Sequence, residues 1–282
     1  DGKNILTRYS TALGYSATVT KPNSVALVSD GGVYASQGVA IGYGASTKTA
    51  DSISIGNSAS TGTDTPSEDI TGVIAIGKNA KAIGSNSIVI GTNALSNSPQ
   101  GANVVIGPDS KINGYSFNST AIGIGAQAQN YDATAIGRNA IAGAQYSFAA
   151  GYSAQTNPTY CDYNIDSSQP VVAVGFGAMS RSNGTIAIGQ NVYADGPFSI
   201  VIGQNSTVAE GNKYGIAIGS NARGVSESIA IGYVTSGSMN SVTIGSRANC
   251  GSSTGVSIGY ASQANSDGLE SIAIGGYAAT NK

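Results

Sequence analysis

The sequence has no histidine, no tryptophan, only 2 cysteines, and charged side chains at 10% of its 282 residues. Without His it lacks the usual general base and the commonest metal ligand near neutral pH. Any Ser-His-Asp or Cys-His nucleophile set is thereby excluded. The 13 Lys and Arg are offset by 15 Asp and Glu, giving a net charge of -2. A basic nucleic-acid footprint is therefore absent, and charge-driven disorder is not expected. Uncharged apolar runs extend only a few residues, too short for a membrane-spanning helix. No leader stands at Asp1 and no anchor at Lys282, so the chain is expected to be a segment of something longer.

Glycine, by contrast, is abundant, at 40 residues, and it is periodic. Ala-Ile-Gly or a close variant recurs with its Gly at 14, 42, 56, 77, 91, 107, 123, 137, 151, 175, 189, 203, 219, 232, 245, 259 and 275. Val28 fills the one vacant slot, making eighteen turns. Most steps are 14 residues; the steps from 56 to 77 and from 151 to 175 are longer. The residue before the Gly is Ile in fourteen turns, and the residue three before is usually Val or Ile. Two residues after the Gly stands Asn, Asp, Gly or Ser in fourteen turns, types that tolerate positive φ. Three after it is Ala in twelve. Each repeat reads as a short strand, a tight turn, a second small-residue strand and a second turn. Fourteen residues cannot bury a core alone, so neighbouring turns must stack. The expectation is an all-β parallel solenoid of about eighteen turns. A flexible Gly/Ser linker would have no reason to hold Ile at one phase. A hexapeptide helix and a calcium-binding nonapeptide roll have other periods.

The column two before the Gly is Ala in twelve turns, including Ala187 and Ala217, and is never charged. It alternates with the Ile columns, so it lies on the other face of the strand. The Ile face, with residues such as Ile188, is expected to pack on the chain's own second strand. The Ala face is expected to be covered by another copy of the chain, since a solvent-facing column would collect polar residues.

Segments such as Gly38-Val39-Ala40-Ile41-Gly42-Tyr43-Gly44-Ala45 and Ser271-Ile272-Ala273-Ile274-Gly275-Gly276-Tyr277-Ala278 resemble the head repeats of trimeric autotransporter adhesins, the YadA-like heads. The resemblance runs along essentially the whole chain. It implies a left-handed parallel β-roll, a homotrimer, and one head domain over 1–282. It also implies display on the bacterial cell surface through an outer-membrane anchor outside this segment. The expected partner is a host cell-surface receptor or an extracellular matrix protein such as collagen or fibronectin. Catalysis, cofactor, metal, nucleic acid and membrane contact by this segment are not expected. A spacer rod and a phage-type fibre segment are the alternatives.

The repeat is interrupted at about 61–70 and 156–169. The first interruption carries Asp64, Glu68 and Asp69; the second carries Tyr160, Asp162, Tyr163 and Asp166. Neither contains Lys or Arg, and their acidic groups read as solvated loops. Tyr146, Phe148, Tyr152, Tyr160 and Tyr163 fall within 18 residues, where an even spread of the 15 Tyr and 4 Phe would place about one. Tyrosine gives large contact area at low entropy cost. Tyr152, Tyr160, Asp162, Tyr163 and Asp166 are therefore the candidate partner-binding residues. Cys161 lies in the second interruption. Cys250 occupies a column of small residues and reads as a buried filler, six turns away and out of disulfide range.

Overall fold

A computed structural model describes residues 8–64, 67–99, 101–114, 116–156, 170–265 and 270–280, with no helix among them. None of the described segments is a helix long and apolar enough to cross a membrane. The chain divides into two compact units, Asp1–Ala140 and Ile141–Lys282. Each is a parallel β-solenoid, and together they hold about eighteen turns.

Among the described residues, each unit contains nine long strands of three residues. In the first they run from Thr11–Leu13 to Thr134–Ile136, in the second from Phe148–Ala150 to Ile272–Ile274. Short strands of two residues, such as Lys81–Ala82 and Gln155–Thr156, form a second ladder. Equivalent residues of successive turns pair in register, as in Ile74↔Ile88, Ala75↔Val89 and Ile76↔Ile90. The backbone bonds repeat accordingly. The N–H of Gly77 donates to Ile55 O at 2.8 Å, and that of Ile74 to Ser87 O at 2.9 Å. The first interruption adds a strand of its own: Ser67–Thr71 pairs in parallel with Thr49–Ala50.

Two corner positions fix the turn. The repeat glycines lie at φ near +130°, a region that side chains avoid. Gly77 has φ +132°, and a Cβ placed on it would stand 2.5 Å from the carbonyl oxygen of Gly91 in the next turn. Two residues on, the chain is left-handed in every turn, with Asn79, Asn93 and Asn191 at φ 56°, 56° and 51°. The turn chemistry read from the sequence is thus the turn chemistry observed.

The assignment of faces is reversed. Ala75, Ala135, Ala187 and Ala217 are fully buried inside the single chain. The Ile and Val columns on either side point outward: Ile188 is 37% exposed and Ile136 39%. Physically, the glycine corner folds two short strands against each other across a thin interior, in which a facing pair of branched side chains is the exception, as with Val105 and Ile112 or Val201 and Val208. Ala, Ser and an occasional Val fill it, and the bulky residues are displaced to the outer face. The rule that the largest apolar residues mark the core fails because the core is so thin. The Ala column therefore does not face a second copy, and Ile188 is not a core residue of its own chain.

Small buried hydroxyls complete the interior. Ser52, Ser87, Ser119, Ser199 and Ser228 occupy an inward column four before the glycine. The oxygens of Ser52, Ser87 and Ser119 receive backbone N–H groups from the following turn: Val73 N–H donates to Ser52 Oγ at 3.0 Å, Asn103 N–H to Ser87 Oγ at 3.2 Å and Ala133 N–H to Ser119 Oγ at 3.3 Å. Asn103, itself buried, accepts at Oδ1 from Ser119 N–H at 3.0 Å. Burial of these polar groups is tolerated because each finds a partner. Cys250 is free and buried in a small cluster with Ala264 and Ala273.

Two substitutions test this arrangement. Ala187→Glu places an unpaired carboxylate inside the roll and is expected to unfold the protomer. Gly77→Ala combines disallowed φ with a backbone clash and is expected to cost about 3 kcal/mol or more. Thermal melting by circular dichroism measures both. An Ala187→Glu protein that melts like the parent would show that the Ala column is not internal.

Candidate functional site

The outer surface of each turn is built from two positions on the long strand, one on the short strand and the residues of its two corners. The long-strand pair is aliphatic in nearly every turn, as in Ile200 with Ile202 and Ile229 with Ile231. No charged residue occupies either position in any turn. The short-strand position is mostly polar, with Ser46, Lys81, Lys111, Gln127 and Arg223. The roll therefore has one apolar face and one wet face.

Aromatic residues gather at the corners. One position after the glycine stand Tyr15, Tyr43, Tyr152, Phe176, Tyr233 and Tyr260, all exposed. Tyr152 and Phe176 belong to successive turns and stack with ring centroids 5.1 Å apart and planes 9° apart. At the other corner Phe198 and Tyr214 stack in the same way, centroids 5.4 Å apart. Parallel in-register turns repeat at about 4.8 Å, so aromatics at one offset in adjacent turns are driven into stacks. These ladders were missed in the sequence, where aromatics were counted by proximity along the chain. Sorting them by offset from the glycine would have found them.

Of the predicted binding residues, Tyr152 is described; Tyr160, Asp162, Tyr163 and Asp166 lie outside the described residues. Tyr152 is 45% exposed, at the corner that follows the long strand Phe148–Ala150. The chain passes to the second interruption at the opposite corner, after Thr156, and rejoins the roll at Pro170. Tyr146, with φ 54°, occupies that second corner, and Phe148 projects from the apolar long-strand face between the two. The clustering in sequence is thus spread over two edges and a face. In the first interruption Asp64 lies 3.7 Å from Lys48 Nζ and is fully solvated. Asp64 thus faces a cation that lies outside the interruption.

Among the described residues, the wet face of the second unit holds the one charged cluster with a shifted titration. Arg181 Nη1 stands 3.7 Å from Asp195 Oδ2, its Nη2 donates to Met179 Sδ at 2.9 Å, and its guanidinium lies 5.8 Å from the centre of the Tyr193 ring. Asp195 Oδ1 is buried without a hydrogen-bond partner among the described residues. Burial raises the Asp195 carboxyl above its usual 3.8; Arg181 opposes the rise and Glu210 adds to it. Among the described residues no group of three or more His, Cys, Asp or Glu comes together as a metal site would require.

The family model of the YadA head domain repeat matches residues 8–27, 35–59, 74–94, 116–140, 128–154, 183–206 and 194–222, together just over half of the chain. The chain belongs to this family of adhesin heads, which is displayed on cell surfaces. No curated protein matches the chain.

Asp195 supplies a prediction with a definite sign. Its folded-state carboxyl binds a proton more tightly than the unfolded one, so stability is lost as pH rises from about 3.8 through the raised value. Asp195→Asn is expected to stabilise the protein at pH 7 and to flatten that dependence. Melting temperatures of both proteins between pH 3.5 and 7 measure it. A parallel pair of curves would contradict the desolvation argument.

Proposed function

We propose that the chain forms the trimeric head of a bacterial surface adhesin, attaching to host cells or extracellular matrix by multivalent protein–protein contacts and without catalysis. The observation that carries this is the uncharged, partly exposed aliphatic face of the long-strand ladder. Monomeric proteins rarely leave so large a contiguous apolar surface in water. Its most economical cover is the same face of identical chains in the same register, since equal turns present equal spacing to one another. Threefold symmetry follows the family. The family relationship also supports a matrix protein such as collagen or fibronectin, or a cell-surface receptor, as partner, and an outer-membrane anchor outside this segment. The whole chain then acts as one head domain with two interruptions.

Three copies let individually weak contacts add up. A regular exterior of Ser, Thr and Asn offers little to distinguish one partner from another. We place partner contact at the second interruption, through Tyr160, Asp162, Tyr163 and Asp166, with Tyr152 as a contact on the neighbouring corner.

Light scattering should give a trimer mass for the parent. Ile188→Glu, one residue from Ala187 but on the outer face, is expected to yield a folded monomer. A monomeric parent at micromolar concentration would overturn the assembly.

Replacing 156–169 with a regular turn is expected to lower binding to matrix-coated surfaces at least about tenfold while the trimer persists. Undiminished binding by an intact trimer would reject the contact surface.

A further inference from the structure

The turns of the second unit are not equally held. The steps from Gly219 to Gly232 and from Gly232 to Gly245 are 13 residues, the shortest in the chain. At these turns the short-strand ladder thins from a two-residue strand to a single bridged residue. Ser236 bridges Arg223 on one side and Asn249 on the other. The long-strand ladder continues undisturbed, with Ala217↔Ala230 and Ala230↔Thr243 in register.

The interior is poorest at the same place. The preceding turns bury Val192, Val201 and Val208. From Ala217 to Ala264 the buried apolar residues are Ala217, Ala222, Ala230, Ala248, Cys250 and Ala264, none of them branched. Gly224 and Gly237 stand where other turns carry a side chain; the space at Gly224 is taken by Val208 from the preceding turn. Apart from Thr235 Oγ1, which donates to Gly245 O at 2.8 Å, the buried hydroxyls here do not tie turn to turn. Ser228 Oγ donates to Val225 O at 2.9 Å and Ser241 Oγ to Ser238 O at 2.7 Å, each within its own corner. Thr243 Oγ1 is buried with no hydrogen-bond partner among the described residues.

The backbone is strained there too. Val234 has φ 52° at the left-handed corner position, where a β-branched side chain is an outlier.

We propose that these two turns are a built-in opening point: the short-strand side between Arg223 and Cys250 detaches in native-state fluctuations while the turns around Val192–Val208 stay closed. Low apolar burial, a thin ladder and stored strain coincide in one contiguous stretch, and such stretches open at a fraction of the global unfolding free energy. Cys250 reports on the event, because it is 2% exposed and its N–H donates to Ser236 O at 2.9 Å across this edge.

The test is hydrogen exchange by mass spectrometry on the intact trimeric chain, with thiol labelling of Cys250 in a Cys161→Ser background. Peptides spanning 223–250 are expected to exchange at least about tenfold faster than those spanning 192–208. Val234→Asn, which installs the residue most common at that corner, is expected to slow both that exchange and Cys250 labelling by about fivefold or more. It should leave 192–208 unchanged. Equal protection in the two stretches, or a Val234→Asn effect distributed evenly over the unit, would overturn the proposal. Should the variant not fold, the comparison within the parent still decides.

Discussion

The close approach at the repeat glycine governs the rest of the molecule. With φ near +130° and no Cβ, each glycine lets the carbonyl of the next turn occupy the space a side chain would take. That contact sets the turn spacing and sharpens the corner together. A sharp corner brings the two strands of a turn close, and the gap between them is filled mostly by Ala, Ser and Thr, with scattered Val and the single Ile112. Once the interior is rationed in this way, most Ile and Val of the long strands are turned outward. An outward column of branched aliphatics is unstable in water unless something covers it. The pressure to assemble thus originates in a backbone angle.

Much of this was legible in the sequence. The period, the two strands per turn and the left-handed corner residue could all be read from columns such as Ile76, Gly77 and Asn79, because each depends on local steric preference. The polarity of the strand could not. Alternation states that Ala187 and Ile188 face opposite ways, but not which way is in. The usual guide, that larger apolar residues are internal, holds where the interior has room for them. Here the decisive quantity is the gap between strands, which follows from the corner and not from hydrophobicity. The uncharged state of both columns was the available clue: the inward column is covered within the chain, and the outward one stays free of charge although it is partly exposed.

The aromatic stacks and the Asp195 cluster were illegible for a different reason. Tyr152 and Phe176 are 24 residues apart in sequence yet stack at 5.1 Å, because the second interruption adds length without adding a turn. Arg181 and Asp195 meet because they hold the same offset in adjacent turns. In a solenoid, neighbours are defined by offset and turn number, so the first interruption, with its extra strand Ser67–Thr71 alongside Thr49–Ala50, also looks featureless until it is folded.

The distribution of exceptions to the repeat has its own logic. At the left-handed corner, fourteen turns carry Asn, Asp, Gly or Ser, and the four that do not are consecutive: Val234, Arg247, Ala261 and Tyr277, all at φ between 52° and 60°. Had these been scattered, each strained corner would be braced by well-formed neighbours on both sides. In a stack where stability is a sum of turn and nearest-neighbour terms, consecutive weak turns lower each other's interface terms as well as their own. The same run has the smallest buried side chains and the thinned short-strand ladder. The β-branched strain at Val234, the thin core and the weak pairing therefore compound in one stretch, while the turns before Gly219 keep branched aliphatics within. A sequence so uniform in its period is thus uneven in its cohesion, and the unevenness follows from which residues were allowed to depart from the repeat and where.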